Sequence, residues 1–514
     1  MWPAVASALG AAAPQVASAQ PAPQQVSVQD AMNAAVRASL PLAAARATRE
    51  RAHADVTVAR SGWWPQINVS ASYVDTLRSE YSDLFSASDS AMAAMGMSQL
   101  GGLSQLPFAA THAWRAGVDV NQSIWDGGRT SSSVAGARGS ERAAELDERA
   151  RRAQAVLEVT DAYFGAELAA EVAAIAEASL SLAEQTLEQT KLGLSQGTVP
   201  EFDVVRSEVT RDNQRTQLVR ARSARDVALV RLRKQLGIPL DRAVELTTKL
   251  AGEDFGDLAR TIAGVPSGAE RVSVASARAI VDIRRAQVGV AQSNRWPRIG
   301  AFTSYGVVDY PFDVWPDSDW RTNWTVGATL AFPLFTGFRT SAQIAGARAD
   351  VRAAEALAAE AAQLAAVDDR ERTADLAVDA AAYAASHRST ELARRAHEIA
   401  QVRFRQGVST YLELVDARIQ LDQAQINEAT AARDLQLARV RIALLPALPV
   451  AAPGAVPSAA AAGAVTPPSA AGQTAAPPPA QTTAPAAGAP GSPATPGAPG
   501  GAPPTTTPTP QGPQ

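Results

Sequence analysis

The chain contains no cysteine, which excludes disulfides, thiolate metal sites, thiol nucleophiles and a lipid-modified N-terminal cysteine. Its histidines are His53, His112, His387 and His397, and no pair has metal-ligand spacing within a motif. Phosphate-cradling glycine loops and nucleophile elbows are missing as well. An enzyme is therefore not expected, and no cofactor or metal is implied. His387 and His397 fall on nearly the same helical face, about 15 Å apart along the axis, and read as surface histidines. The net charge is only −4 with both signs interspersed, so no basic field points to a nucleic-acid partner. No apolar run reaches the ~18 residues of a transmembrane helix. Any membrane span must then be a closed β-barrel.

Aromatic residues are scarce at 5% and alanine abounds, a composition that suits helices packed closely side by side. Proline is absent from Thr130 to Val199 and again from Thr340 to Leu445, while apolar residues recur at helical spacing, as in Val156, Val159, Tyr163 and Ile175. An unbroken helix of about 66 residues would be about 100 Å long, far beyond the globular norm. The helices break at Gln196-Gly197-Thr198-Val199-Pro200 and at Gln406-Gly407-Val408-Ser409-Thr410, where glycine ends one helix and the chain turns back. Return helices run to about Gly237 and Leu445.

The chain is internally duplicated. Ser61-Gly-Trp-Trp-Pro65 returns as Ser293-Asn-Arg-Trp-Pro297, an offset of 297 − 65 = 232. Gly-Gly-Arg-Thr-Ser (Gly127 to Ser131) and Val134-Ala-Gly-Ala-Arg138 return as Gly-Phe-Arg-Thr-Ser (Gly337 to Ser341) and Ile344-Ala-Gly-Ala-Arg348, now at 348 − 138 = 210. The difference of 22 residues (232 − 210) must lie between the paired strands. A repeat that confines its length change to one loop predicts two copies of one unit.

Each unit opens with alternating strands. Ile67, Val69, Ala71 and Tyr73 oppose Gln66, Asn68, Ser70 and Ser72; Trp114, Ala116, Val118 and Val120 oppose Arg115, Gly117, Asp119 and Asn121. The second copy alternates at Ile299 to Tyr305 and at Trp320 to Phe332. Strands of about ten residues suit a bilayer crossing. Trp64, Trp114, Trp125, Trp296, Trp320 and Trp324 sit in or at the ends of these strands, as an aromatic girdle would. A soluble sheet with one buried face predicts the same alternation, and a periplasmic coiled-coil structural protein without a pore is the alternative function. Four strands cannot close a barrel alone, so copies must assemble to remove the open edges.

Strand pair, long helical hairpin, glycine tip and duplication together resemble the TolC family of outer-membrane efflux and secretion channels, over roughly Val26 to Leu445. Val28-Gln-Asp-Ala-Met-Asn-Ala-Ala-Val36 is similar to the family's first helix, and Arg403-Phe-Arg-Gln-Gly407-Val-Ser-Thr-Tyr-Leu412-Glu-Leu-Val-Asp416-Ala to its second-hairpin tip. The resemblance implies a mostly α fold with a β part: a homotrimer whose twelve-stranded outer-membrane barrel continues into a periplasmic barrel of twelve coiled-coil helices. Residues 1–19 read as a signal peptide from the apolar stretch Val5 to Val16, with Ala17-Ser18-Ala19 as the cleavage site though without a basic n-region. Residues 20–63 form an N-terminal equatorial segment with the first helices, and 64–126 the first strand pair with a long extracellular loop. Residues 127–237 form the first hairpin, 238–275 an equatorial linker, 276–296 a short helix, 297–336 the second strand pair and 337–446 the second hairpin. Residues 447–514 are a disordered Ala/Pro/Thr-rich tail with no charged or aromatic side chain.

As the resemblance implies, Glu413 and Asp416, with Asp203 at the equivalent place in the first hairpin, ring a closed periplasmic entrance; three-fold symmetry would stack their carboxylates. Ser409 stands where some members carry an arginine that braces the closed state, and Arg403 or Arg405 would replace it. Gly197, Thr198, Val199, Gly407, Val408 and Thr410 would dock a periplasmic adaptor that links the channel to an inner-membrane pump of RND, ABC or MFS type. Outer-membrane lipid would surround the strands.

Overall fold

The computed structural model describes residues 24–77, 90, 94–95, 112–311, 314–316 and 318–450. The expected signal peptide, most of the first strand-to-strand loop and the tail beyond residue 450 lie outside the described residues. The element order is β1 (Gln24–Val26), α1 (Val28–Ala38), α2 (Leu40–Arg60), β2 (Gln66–Asp75), β3 (His112–Trp125), α3 (Arg129–Ser195), α4 (Glu201–Leu236), β4 (Val244–Leu246), α5 (Gly256–Ala263), α6 (Val272–Ser293), β5 (Arg298–Asp309), β6 (Arg321–Ala331), α7 (Arg339–Arg405) and α8 (Tyr411–Leu444). Helix dominates, as composition and proline placement lead one to expect.

Both outgoing helices, α3 and α7, are 67 residues long, which at 1.5 Å per residue gives about 100 Å each. Their return partners are shorter, 36 residues in α4 and 34 in α8. The remaining length of α3 packs against α2, and that of α7 against α6. The long helices are therefore flanked along most of their course, which a helix of alanine and small side chains requires to bury its narrow stripe.

Helix α6 spans Val272–Ser293, beginning four residues before the expected 276, inside the stretch read as linker. It starts once the turn at Gly268, with φ +71°, has reversed the chain. Arg271 at its N-cap is buried and reaches α7, with guanidinium nitrogens 2.6 Å from Asp368 and 2.6 Å from Asp369. That ion pair is a tertiary contact, with no local signal in the sequence around residue 271.

The main core lies where α1, α3, α4, α5 and α8 meet, around Met32, Val156, Tyr163, Phe164, Leu232 and Leu444. Ser27 opens α1 with a capping box, accepting from the Asp30 backbone N–H while Asp30 accepts from its own. Strands β1 and β4 pair in parallel beside this core. The buried Tyr163 hydroxyl joins them, donating to the Val26 carbonyl at 3.0 Å and accepting from the Thr248 N–H at 2.9 Å.

The larger sheet is antiparallel, in the order β2-β3-β5-β6. Its two outer hairpins have one register. Ile67 faces Val120 and Ile299 faces Leu330, which are 299 − 67 = 232 and 330 − 120 = 210 apart, the offsets of the sequence repeat. The length difference between the copies thus falls wholly in the loop joining the strands.

Register also divides the sheet into two faces. One carries Ile67, Val69, Val118, Tyr305, Trp324 and Val326; the other carries Gln66, Asn68, Asp119, Asn121, Ser304 and Thr325. Neither face is covered by a core. On the apolar side Val69 is 79% exposed, Val326 74%, Trp324 71%, Leu330 70% and Ile67 65%. The soluble-sheet alternative requires one of these faces to be buried.

Candidate functional site

The two hairpin tips fold alike because both rely on a left-handed glycine. Gly197 has φ +74° and Gly407 φ +72°, and a Cβ built on either meets nothing within 4 Å. Beyond them the chain closes back on the helix: Thr198 N donates to Gly193 O at 2.9 Å, and Val408 N to Arg403 O at 3.0 Å. These are the bonds of a Schellman turn, satisfying carbonyls that a helix end leaves unpaired. Pro200 then opens α4, and Thr410 caps α8 by accepting from Glu413 N at 3.4 Å.

Of the residues expected from the sequence to dock an adaptor, Gly197, Thr198, Gly407, Val408 and Thr410 are exposed and Val199 is half-buried. Val199 turns inward over Gly193, where a Cβ would lie 2.5 Å from the valine Cγ2. Gly193 was not singled out from sequence, since a glycine inside a helix carries no local sign that another side chain packs on it.

Glu413 and Asp416 are exposed on the first turns of α8, on one face, and Asp203 is half-buried in the first turn of α4. Arg403 and Arg405 are exposed at the end of α7. Among the described residues no ion pair joins either arginine to Glu413 or Asp416. Arg405 Nε instead donates to the Gln401 carbonyl at 3.4 Å. Ser409 donates its hydroxyl to the Glu413 carboxylate within the same tip.

A second polar cluster lies further from the tips and was not expected. Ser179 of α3 donates to Asp422 Oδ2 at 2.7 Å, and Arg418 donates to the same serine at 2.7 Å. Arg418 Nε and Asp422 Oδ1 stand 2.8 Å apart as an ion pair. His397 of α7 is 7% exposed, and its buried Nε2 has no hydrogen-bond partner. The sequence reading of a surface histidine is therefore corrected: His397 points inward between helices. Burial, and then the Arg418 charge, hold its imidazole below the usual pKa. Burial raises the Asp422 carboxyl despite the opposing bonds from Ser179 and Arg418. Arg418 and Asp422 are an i, i+4 pair visible in the sequence, but nothing local says that Ser179 completes it.

His387 remains on the surface side, with Nδ1 2.6 Å from Glu428. That hydrogen bond, and then the carboxylate's charge, raise its pKa.

The tryptophans occupy both ends of the larger sheet. Trp64, Trp125 and Trp296 lie at the end joined to the helices, and Trp114, Trp320 and Trp324 toward the loop end. All but Trp114 are exposed. Exposed Phe332, Phe335 and Phe338 extend the helix-side group in the second copy. A search for tryptophan alone passes over them.

The fold is shared with known proteins. The family model described as outer membrane efflux protein matches residues 31–238 and 268–446. The alkaline protease secretion protein AprF of Pseudomonas aeruginosa is 25% identical over 196 residues, covering 38% of this chain and 40% of AprF. The outer membrane protein VceC of Vibrio cholerae superposes with a TM-score of 0.64 at 19% identity, over 81% of this chain and 95% of VceC. The CmeC outer membrane channel of Campylobacter jejuni does so with a TM-score of 0.65 at 14% identity, over 83% of this chain and 87% of CmeC. With the family model spanning both copies of the repeat, the chain belongs to the outer membrane efflux protein family.

Proposed function

We propose that three copies of this chain form the outer-membrane exit duct of a tripartite efflux or type I secretion system. The observation that carries this reading is the uncovered sheet. A four-stranded sheet with an exposed apolar face, a polar second face and two open edges is unstable in water. Three such sheets joined edge to edge give a closed twelve-stranded barrel with lipid outside and water within. The aromatic side chains at the two ends of the sheet then lie at the two membrane interfaces. The helices of three chains continue the duct into the periplasm as a twelve-helix barrel.

Glu413 and Asp416, repeated three times, set a ring of negative charge at the periplasmic entrance, with Asp203 contributed by the first hairpin. Arg403 and Arg405, unpaired with these acids within their own chain, face the acids of a neighbouring copy and brace the closed state. The glycine tips receive a periplasmic adaptor, which opens the entrance under an inner-membrane pump of RND, ABC or MFS type. The likeness to a protease secretion protein supports polypeptides among the cargoes.

In planar bilayers the purified protein should form discrete, cation-preferring pores. Glu413→Gln combined with Asp416→Asn should weaken that preference. Unchanged selectivity in the double variant would overturn the gate assignment, and variants built to open the tips that never conduct would overturn the channel.

A further inference from the structure

Phe302 is the one aromatic residue on the polar face among the paired strand residues, in a row formed by Gln66, Asn121, Phe302 and Gly327. Its ring lies over the strand beside it. A Cβ built on Gly327 would fall 2.6 Å from Phe302 Cζ and 2.7 Å from Cε1, so the ring occupies the place of a side chain at 327. An aromatic ring laid across a cross-strand glycine covers backbone that would otherwise be bare.

The duplication isolates the feature. By the offsets of the repeat, Gly327 corresponds to Gly117 and Phe302 to Ser70, and Ser70 pairs with Gly117 as Phe302 pairs with Gly327. Both hairpins carry the glycine, but only the second sets a ring above it. The two pairs share one register, so pairing alone does not explain the phenylalanine.

We propose that Phe302 and Gly327 together set the free bore of the barrel, Gly327 providing the berth that keeps the Phe302 ring against the wall. The inference rests on the channel reading. A side chain at 327 removes the wall-lying rotamer, and the ring must take another staggered position. The cross-strand wall position on its other side holds Asn121. The ring then swings toward the axis, and three copies narrow the duct at one level. The pair thus limits the size of what passes, whereas the acids at the tips act on its charge.

The absence of cysteine makes the test direct. In the assembled protein in the membrane, single cysteines are placed at Asn323→Cys, on the loop side of this row, and at Thr329→Cys, on the helix side. Maleimides of increasing bulk are added from the loop side, and the largest that still reaches Asn323→Cys is used. Labelling of Thr329→Cys relative to Asn323→Cys should fall severalfold in Gly327→Leu, fall also in the milder Gly327→Ala, and recover when Phe302→Ala is added to either. An unchanged ratio in Gly327→Ala, or a ratio that Phe302→Ala fails to restore, overturns the proposal; so does a duct through which that reagent never reaches Thr329→Cys with Gly327 present. Val326→Cys, on the opposite face, separates the two claims. If small water-borne maleimide labels it as fast as Asn323→Cys, the barrel reading itself fails.

Discussion

Phe338 packs edge-on against Phe335, with ring centroids 5.8 Å apart, while its own backbone holds a left-handed φ of 62°. The position is the N-cap of α7, and its counterpart in the first copy is Gly128, with φ +83°. An L side chain in this region costs about 1 to 2 kcal/mol, a strain glycine does not carry. Phe338 is 77% exposed, so no core contact within the chain offsets that strain.

Phe338→Gly should therefore stabilise the detergent-solubilised protein by about 1 kcal/mol, and Gly128→Phe should destabilise it by about as much. Chemical denaturation followed by helical circular dichroism measures both. The same Phe338→Gly change removes an exposed ring at the helix-side end of the strands, and in lipid vesicles its gain should shrink.

Removing Arg418 should leave Asp422 in a half-buried site without its cation. Arg418→Ala is expected to cost about 2 to 3 kcal/mol, the scale of a hydrogen bond to a charged group. Asp422→Asn should cost less, since an amide still accepts from Ser179. Replacing both Arg418 and Asp422 by leucine should cost less than the two single losses added together, because no charge is stranded. A double-mutant cycle on unfolding checks the pattern.

The two α7 histidines should give the protein opposite pH dependences. His387, raised by Glu428, contributes stability that is fully present below its unfolded pKa of about 6.5 and is lost as pH rises through its folded value. His397 is depressed, so the folded state resists its protonation, and stability present above about pH 6.5 is lost as pH falls toward the lower folded value. His387→Gln should flatten the alkaline fall in melting temperature, and His397→Gln the acid fall. Melting curves at pH 5 to 8 distinguish them; identical profiles for the two variants would refute the assignment.

At the tips, a Cβ in place of the hydrogen of Gly197 or Gly407 meets nothing within 4 Å, yet their φ values of +74° and +72° disfavour any side chain, valine included. Each substitution should destabilise the turn by about 1 to 2 kcal/mol and leave the rest of the helix in place. Crosslinking of an adaptor at Thr198 and Val408 should fall in parallel with local protection from hydrogen exchange.

Much of the architecture was open to reading along the chain. The strands from Gln66 to Asp75 and from Arg321 to Ala331 alternate with a period of two, and a barren stretch without proline marks each long helix. The glycines at 197 and 407 end those helices where the sequence says they must. The start of α6 was less legible, because its position depends on a turn at Gly268 and an ion pair from Arg271 to a distant helix. His397 was misread for a related reason: a histidine's neighbours on its own helix do not reveal what packs over it.

What the sequence by itself determined is what can be read along the chain: the period of each strand, the unbroken helices, the glycine turns, and the repeat offsets that place the length change between the paired strands. The meeting of Ser179, His397 and Asp422 from three helices, and the ring of Phe302 lying over Gly327, were decided only in three dimensions. Such contacts depend on how helices are set side by side and how strands are aligned, and a one-residue slip would turn every strand side chain to the opposite face.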